Sequence, residues 1–161
     1  MPSAGKSTVG VVLSKVMGLS FVDSDIVIQS KTGKKLSELI EEYGVDGFSK
    51  IEDEVNTGIC GDHMVVATGG SVVFCPNAMK HFSEIGTIVY LNASPAVLDE
   101  RLGDLDERGV IHKADETVYD IYEARKSFYE KYADVIVNEP VGPFNIEKIL
   151  DLTLEALKAG E

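Results

Sequence analysis

Apolar residues recur at helical spacing at Val9, Val12, Leu13 and Val16, and Gly18 follows as a C-terminal stop, so a helix is expected from Ser7 to Met17. A short strand, Ser20 to Asp23, comes next. Leu36, Leu39, Ile40 and Tyr43 predict a second helix closed by Gly44. Phe48, Ile51, Val55 and Ile59 predict a third, with Asp46 as its N-cap. His63 to Ala67 and Gly86 to Leu91 are continuous apolar runs rich in β-branched residues, the pattern of strands buried on both faces. Further helices are expected from Pro76 to Phe82, and from Ser94-Pro95 through Val97, Leu98 and Leu102. Another starts at Thr117 and carries Val118, Ile121, Tyr122, Phe128 and Tyr129. Asp134 to Val137 reads as the last strand, and Ile146, Ile149, Leu150, Leu154 and Leu157 as a C-terminal helix. Strands alternating with helices predict an α/β fold with a parallel sheet covered on both faces. Ligands of such sheets bind at the carboxyl ends of the strands, so the residues that follow strands are the first candidates for function.

The segment from Gly103 to Glu116 breaks this pattern, being polar, charged and without period. A loop of that length is a functional lid or a disordered segment. The 161 residues are expected to form one domain, 1–161, with a lid at about 103–116. The formal net charge of -12 lacks the clustered Lys and Arg of a nucleic-acid footprint, although it leaves room for nucleotides. Cys60 and Cys75 suit two free thiols in a reducing compartment. No apolar run approaches ~18 residues, so a cytoplasmic protein without a membrane partner is expected, and a monomer.

Candidate chemistry begins at Gly5-Lys6-Ser7-Thr8, which matches the second half of a phosphate-binding loop. In that motif successive backbone N–H groups and a helix N-terminus face a phosphate. Lys6 would reach the outer phosphates and Ser7 would ligate Mg²⁺. Folds with this loop open with a buried strand that leads into it. The pattern starts after that strand and after the first glycine, so roughly ten residues are expected to be missing and the sheet to show a gap. Asp23 and Asp25 end the first visible strand, on one face of an extended segment. They fit a water-mediated Mg²⁺ ligand and a hydroxyl acceptor, and equally a turn with an acidic cap. Gly69-Gly70 after the most apolar strand lets a ligand approach the backbone, or simply ends the strand. Arg125 shares a helical stripe with Val118, Tyr122 and Tyr129, so it needs a ligand or a partner, or it reaches the surface. Arg101 and Arg108 flank the long loop, where arginines serve phosphoryl transfer or pair with surface carboxylates.

Taken together, these pieces resemble the shikimate kinase family, among the nucleoside-monophosphate-kinase-like P-loop kinases, along nearly the whole chain. Gly5-Lys6-Ser7-Thr8, Phe21-Val22-Asp23-Ser24-Asp25, Thr32-Gly33, Gly47-Phe48 with Ile51-Glu52, Gly69-Gly70 and Ala124-Arg125-Lys126-Ser127-Phe128-Tyr129 stand in the family's order and spacing. The resemblance implies a three-layer P-loop kinase fold, apparently lacking its first strand in this chain. It implies ATP-dependent phosphorylation of shikimate to shikimate 3-phosphate, with ATP and Mg²⁺. Lys6, Asp25 and Arg108 would be catalytic. Gly5, Lys6, Ser7, Thr8 and Arg101 would hold the nucleotide, with Arg101 against adenine. Asp25, Gly69, Gly70 and Arg125 would hold the acceptor, Arg125 through its carboxylate, while Ser7 and Asp23 would serve the metal. Three positions depart from the family pattern. Ser49, with Lys50 next, replaces an arginine that binds the substrate carboxylate. Thr68 stands where a third glycine is common, and Arg108-Gly109-Val110 replaces Arg-Pro-Leu. These departures leave two alternatives: a kinase for another small polyol or hydroxy acid, as gluconate kinases are, and a nucleotide-binding regulator without catalysis.

Overall fold

The structure, a computed structural model, describes residues 1–102, 116–140 and 142–159. Arg108 and nearly all of the expected lid lie outside the described residues. In chain order the elements are α1 (Lys6–Met17), β1 (Ser20–Asp23), α2 (Ser24–Thr32), α3 (Leu36–Thr57), β2 (Met64–Ala67), a 3₁₀ turn (Val72–Phe74), α4 (Pro76–Ile85), β3 (Val89–Asn92), α5 (Pro95–Leu102), α6 (Val118–Tyr132), β4 (Val135–Asn138) and α7 (Ile146–Ala159). β1 pairs with β2 and β3 with β4, both parallel, with Asp23 opposite Ala67 and Asn92 opposite Asn138 at the carboxyl ends. The expected α/β alternation and parallel pairing are therefore present.

Alternation along the strands sorts residues between the two faces. Phe21, Val65 and Ala67 meet α1 at Gly10. A Cβ there would lie 2.9 Å from the Phe21 ring and 3.6 Å from Val65, so the missing side chain lets the helix lie close on the strands. Tyr90, between Val89 and Leu91, joins a buried cluster with Val72, Met79, Leu98, Tyr122 and Tyr129. α7 packs on β4 and against α1. A second cluster of Ile28, Leu39, Phe48 and Val55 fastens α2 to α3 beside the main core. No described helix is long and apolar enough to cross a membrane.

The structure corrects three expectations. The second and third helices are two arms of α3, joined at Gly44, whose φ of 67° and ψ of 178° kink the element; Asp46 lies inside it instead of capping a new helix. α2 carries too short an apolar pattern to be read from sequence. Its N-cap is Asp23, whose Oδ1 accepts from the backbone N–H groups of Asp25 at 3.0 Å and Ile26 at 3.4 Å. The acidic-cap alternative therefore holds for Asp23, while Asp25 sits in the first turn of a helix and not on an extended segment with it. Finally, β2 and β3 are mostly half-buried. The described strands form two separate pairs, and cavities of about 380 and 710 Å³ lie between Val66 of β2 and Val89 of β3. Among the described residues the expected gap in the sheet is present, and each of these runs has a strand partner on one edge only, which leaves its burial incomplete.

Ile28 is fully buried between α2 and α3. Ile28→Ala should lower stability by about 2–5 kcal/mol through lost burial and the cavity left behind, as read from denaturant unfolding. A loss below about 0.5 kcal/mol would show that the α2–α3 layer contributes little to the cooperative fold.

Candidate active site

The carboxyl ends of β1 and β2 open onto a cavity of about 570 Å³. Its floor is the start of α1. Gly5 holds φ at 81° as the N-cap, and no side chain caps the first turn, so the N–H groups at Lys6, Ser7 and Thr8 are presented at the positive end of the helix. The left-handed φ is one reason for glycine here. The other is space, because a Cβ would lie 2.8 Å from the ring of Phe144. Ser7 Oγ donates to Asp23 Oδ2 at 2.7 Å. Asp23 therefore caps α2 with one oxygen and reaches the phosphate loop with the other. Lys6 is half-buried, and its Nζ donates to the Met1 carbonyl at 2.6 Å.

The opposite wall is the turn after β2. A Cβ on Gly69 would lie 2.6 Å from Glu52 Oε1 and 3.1 Å from Asp25 Oδ1, so these two carboxylates converge on the space that the glycine leaves. Glu52 is buried. Its Oε2 accepts from Ser71 Oγ at 2.7 Å and from Cys75 Sγ at 3.6 Å. Arg125 is buried on the inner face of α6, as its stripe predicts. It donates from Nη1 to the Gly70 carbonyl at 3.1 Å and lies 5.6 Å from the Phe74 ring centre. At the far end Arg101 forms a two-point ion pair with Glu139, one bond at 2.9 Å, and its guanidinium lies 4.6 Å from the Phe144 ring centre.

Electrostatics follow from burial. Desolvation pushes the Lys6 ammonium down to about 8, against the upward pull of Asp25, with Arg125 lowering it further. Desolvation raises the Asp25 carboxyl, the Asp23 charge raises it further, and Lys6 opposes. Glu52 is also raised, mainly by burial, against the hydrogen bond from Ser71. Burial lowers Arg125 as well, so two cations and two carboxylates of shifted basicity share a cavity with a helix N-terminus.

This arrangement suits phosphoryl transfer to a hydroxyl group, and comparison with known proteins agrees. A family model described as shikimate kinase matches residues 2–157. The chain belongs to the shikimate kinase family. It is 34% identical over 129 residues to the shikimate kinase of Bacillus anthracis, covering 80% of this chain and 78% of that protein. To the shikimate kinase of Thermodesulfovibrio yellowstonii it is 32% identical over 160 residues, covering 98% of this chain and 92% of that protein. The solved shikimate kinase of Aquifex aeolicus superposes with a TM-score of 0.82 at 28% identity, covering 99% of this chain and 93% of that one. That of Acinetobacter baumannii in complex with shikimate superposes at 0.84 with 24% identity, covering 98% and 89%, a likeness of fold. As a shikimate kinase family member, this protein is a phosphotransferase with an alcohol acceptor.

Within this family frame, the structure gathers Gly5, Lys6, Ser7, Thr8, Asp25, Gly69, Gly70, Arg101 and Arg125 around one cavity, with Asp23 at its edge. Arg108 lies outside the described residues. Lys6 is less exposed than its place in a surface motif suggests. Sequence reasoning named Glu52 and Tyr129 only within family segments and an apolar stripe, and gave no role to Glu139 or Phe144. Glu52 carried a usable signal, a carboxylate on the apolar stripe of Phe48 and Val55, the same clue that marks Arg125. Phe144 and Glu139 carried none, since their roles arise from contact with α5.

At pH 7 a Lys6 ammonium with a pKa of about 8 is protonated by about ten to one. If Lys6 meets phosphate, deprotonation as pH rises through about 8 should remove that charge, so kcat/KM for ATP should fall above that point. Lys6→Arg should move this limb upward, because guanidinium keeps its proton. A level pH profile across that range in the unaltered enzyme would argue against Lys6 as the titrating group.

Proposed function

We propose that this protein transfers the γ-phosphoryl group of ATP to a hydroxyl of shikimate, giving shikimate 3-phosphate. The observation that carries the reading is the single cavity in which the α1 N-terminus and Lys6 face the Asp25 carboxylate, with Arg125 beyond it. The names of the relatives, shikimate kinases that align over most of their length, support the acceptor.

In this reading the N–H groups of the first turn and Lys6 hold the β- and γ-phosphates, and Lys6 offsets charge as it spreads over the moving group. Asp25 accepts the proton of the attacking hydroxyl or orients it; its raised basicity suits that task. Arg125 holds the acceptor carboxylate. Arg101, whose guanidinium lies against the Phe144 ring, offers a planar face to the adenine. Arg108 would supply charge from the lid. The Ser7 hydroxyl and the Asp23 carboxylate are hard oxygen donors in contact with each other beside the phosphate loop, a donor set that fits Mg²⁺. When bound there, Mg²⁺ neutralises the phosphates. The protein acts as a cytoplasmic monomer.

Ser49 marks the difference from the family pattern. Its hydroxyl faces Cys75 Sγ at 3.8 Å, and Lys50 is exposed, so neither lines the cavity. Among the described residues Arg125 is the arginine left at the acceptor end. Another acceptor, a small polyol or hydroxy acid, is therefore the second reading.

Turnover of ATP with Mg²⁺ across shikimate, gluconate and other small polyols tests the proposal. Shikimate should give the highest kcat/KM, and Lys6→Ala and Asp25→Asn should each cost at least ~100-fold. Ser49→Arg should lower the shikimate KM by roughly ten- to a hundredfold, the worth of one charge-assisted hydrogen bond. Faster turnover of another acceptor would transfer the assignment to it, and no ATP-dependent turnover of any would leave a nucleotide-binding regulator.

A further inference from the structure

We infer that Tyr129 is a positioning residue for acceptor binding: its hydroxyl fixes the Gly70 carbonyl, and through it the Arg125 guanidinium. This rests on the reading of Arg125 as the acceptor's anchor.

Arg125 and Tyr129 stand one helical turn apart on the buried face of α6. Both donate to the same atom, the Gly70 carbonyl oxygen, Arg125 from Nη1 at 3.1 Å and Tyr129 from its hydroxyl. A carbonyl oxygen has two lone pairs, so the two donors fill it. Gly70 has little room to shift, because a Cβ there would lie 3.0 Å from the Pro2 nitrogen and ring. The carbonyl is thus the hinge pin between the glycine turn and the arginine.

Tyr129 is itself held. Its ring stacks on Tyr90 with centroids 4.8 Å apart and planes 17° from parallel. The Tyr90 hydroxyl donates to Asn92 Oδ1 at 2.9 Å, the Tyr122 hydroxyl reaches the same oxygen at 3.2 Å, and Asn92 Nδ2 donates to Asn138 Oδ1 at 2.8 Å. A connected network therefore runs from the β3–β4 pair to the turn after β2, across the gap in the sheet. Burial also pushes the Tyr129 phenol up, so it stays a neutral donor throughout the working range.

If Tyr129 only filled space, its ring would suffice. Tyr129→Phe keeps the ring and the stack and removes the donor. With one partner gone, the Gly70 carbonyl and Arg125 lose a shared restraint. The shikimate KM should rise about three- to tenfold, the worth of one net hydrogen bond, while kcat and the ATP KM stay within about twofold. Amide exchange across residues 68–71 should quicken by a similar factor with β3 and β4 unchanged, a readout independent of which acceptor the enzyme uses. Unchanged KM and unchanged exchange would overturn the inference. So would equal rises in both KM values together with faster exchange throughout the protein, which would assign Tyr129 to general stability. If the unaltered enzyme does not use shikimate, the assignment of acceptor falls, and the exchange measurement alone decides the role of Tyr129.

Discussion

The absence of side chains at Gly69 and Gly70 is the constraint on which the rest of the site depends. On one side of the turn, the space that a Cβ would fill is taken by carboxylate oxygens of Asp25 and Glu52, one from α2 and one from α3. On the other side, Pro2 presses against Gly70 while its carbonyl receives Arg125 and Tyr129 from α6. Four segments distant in the chain therefore meet at two residues. Any larger residue at 69 would drive the carboxylates apart, and with them the geometry between hydroxyl acceptor and phosphate loop.

Crowding of charge gives the site its chemistry. Lys6, Asp25, Glu52 and Arg125 are held within one partly dry cavity, where charged forms lose hydration. Their basicities move toward one another: the ammonium goes down and both carboxyls go up. A lowered ammonium and raised carboxyls suit a reaction in which a proton leaves a hydroxyl while negative charge spreads over a phosphoryl group. The acceptor wall is built from side chains and the nucleotide wall mostly from backbone. Variation at a cavity position such as Arg125 can therefore alter the acceptor while leaving the phosphate loop intact.

Much of the fold was legible because its signals are local. Apolar spacing placed most helices, the β-branched runs placed β2 and β3, and the contiguous Gly5-Lys6-Ser7-Thr8 marked the start of α1 at the cavity. The misplaced elements failed for equally local reasons. At Gly44 one glycine looks the same whether it ends a helix or kinks one. Asp23 sits where a strand end and a helix cap coincide, and one oxygen serves the cap while the other reaches the phosphate loop, so the two readings left open by the sequence are compatible at one residue. The expected full burial of β2 required a neighbour, and a strand cannot report from its own residues which neighbours it has.

The site divides in the same way. Residue types and spacing nominated Lys6, Ser7, Asp25 and Arg125, because a phosphate loop is a short-range motif and a charge on an apolar stripe is visible in one helix. That Glu52 faces Asp25, that Ser49 turns to Cys75 and not into the cavity, and that Arg101 is tied to Glu139 beneath Phe144 could be learned only from packing. Periodicity constrains which face of an element is buried, whereas the distance between side chains on different elements depends on how those faces are stacked.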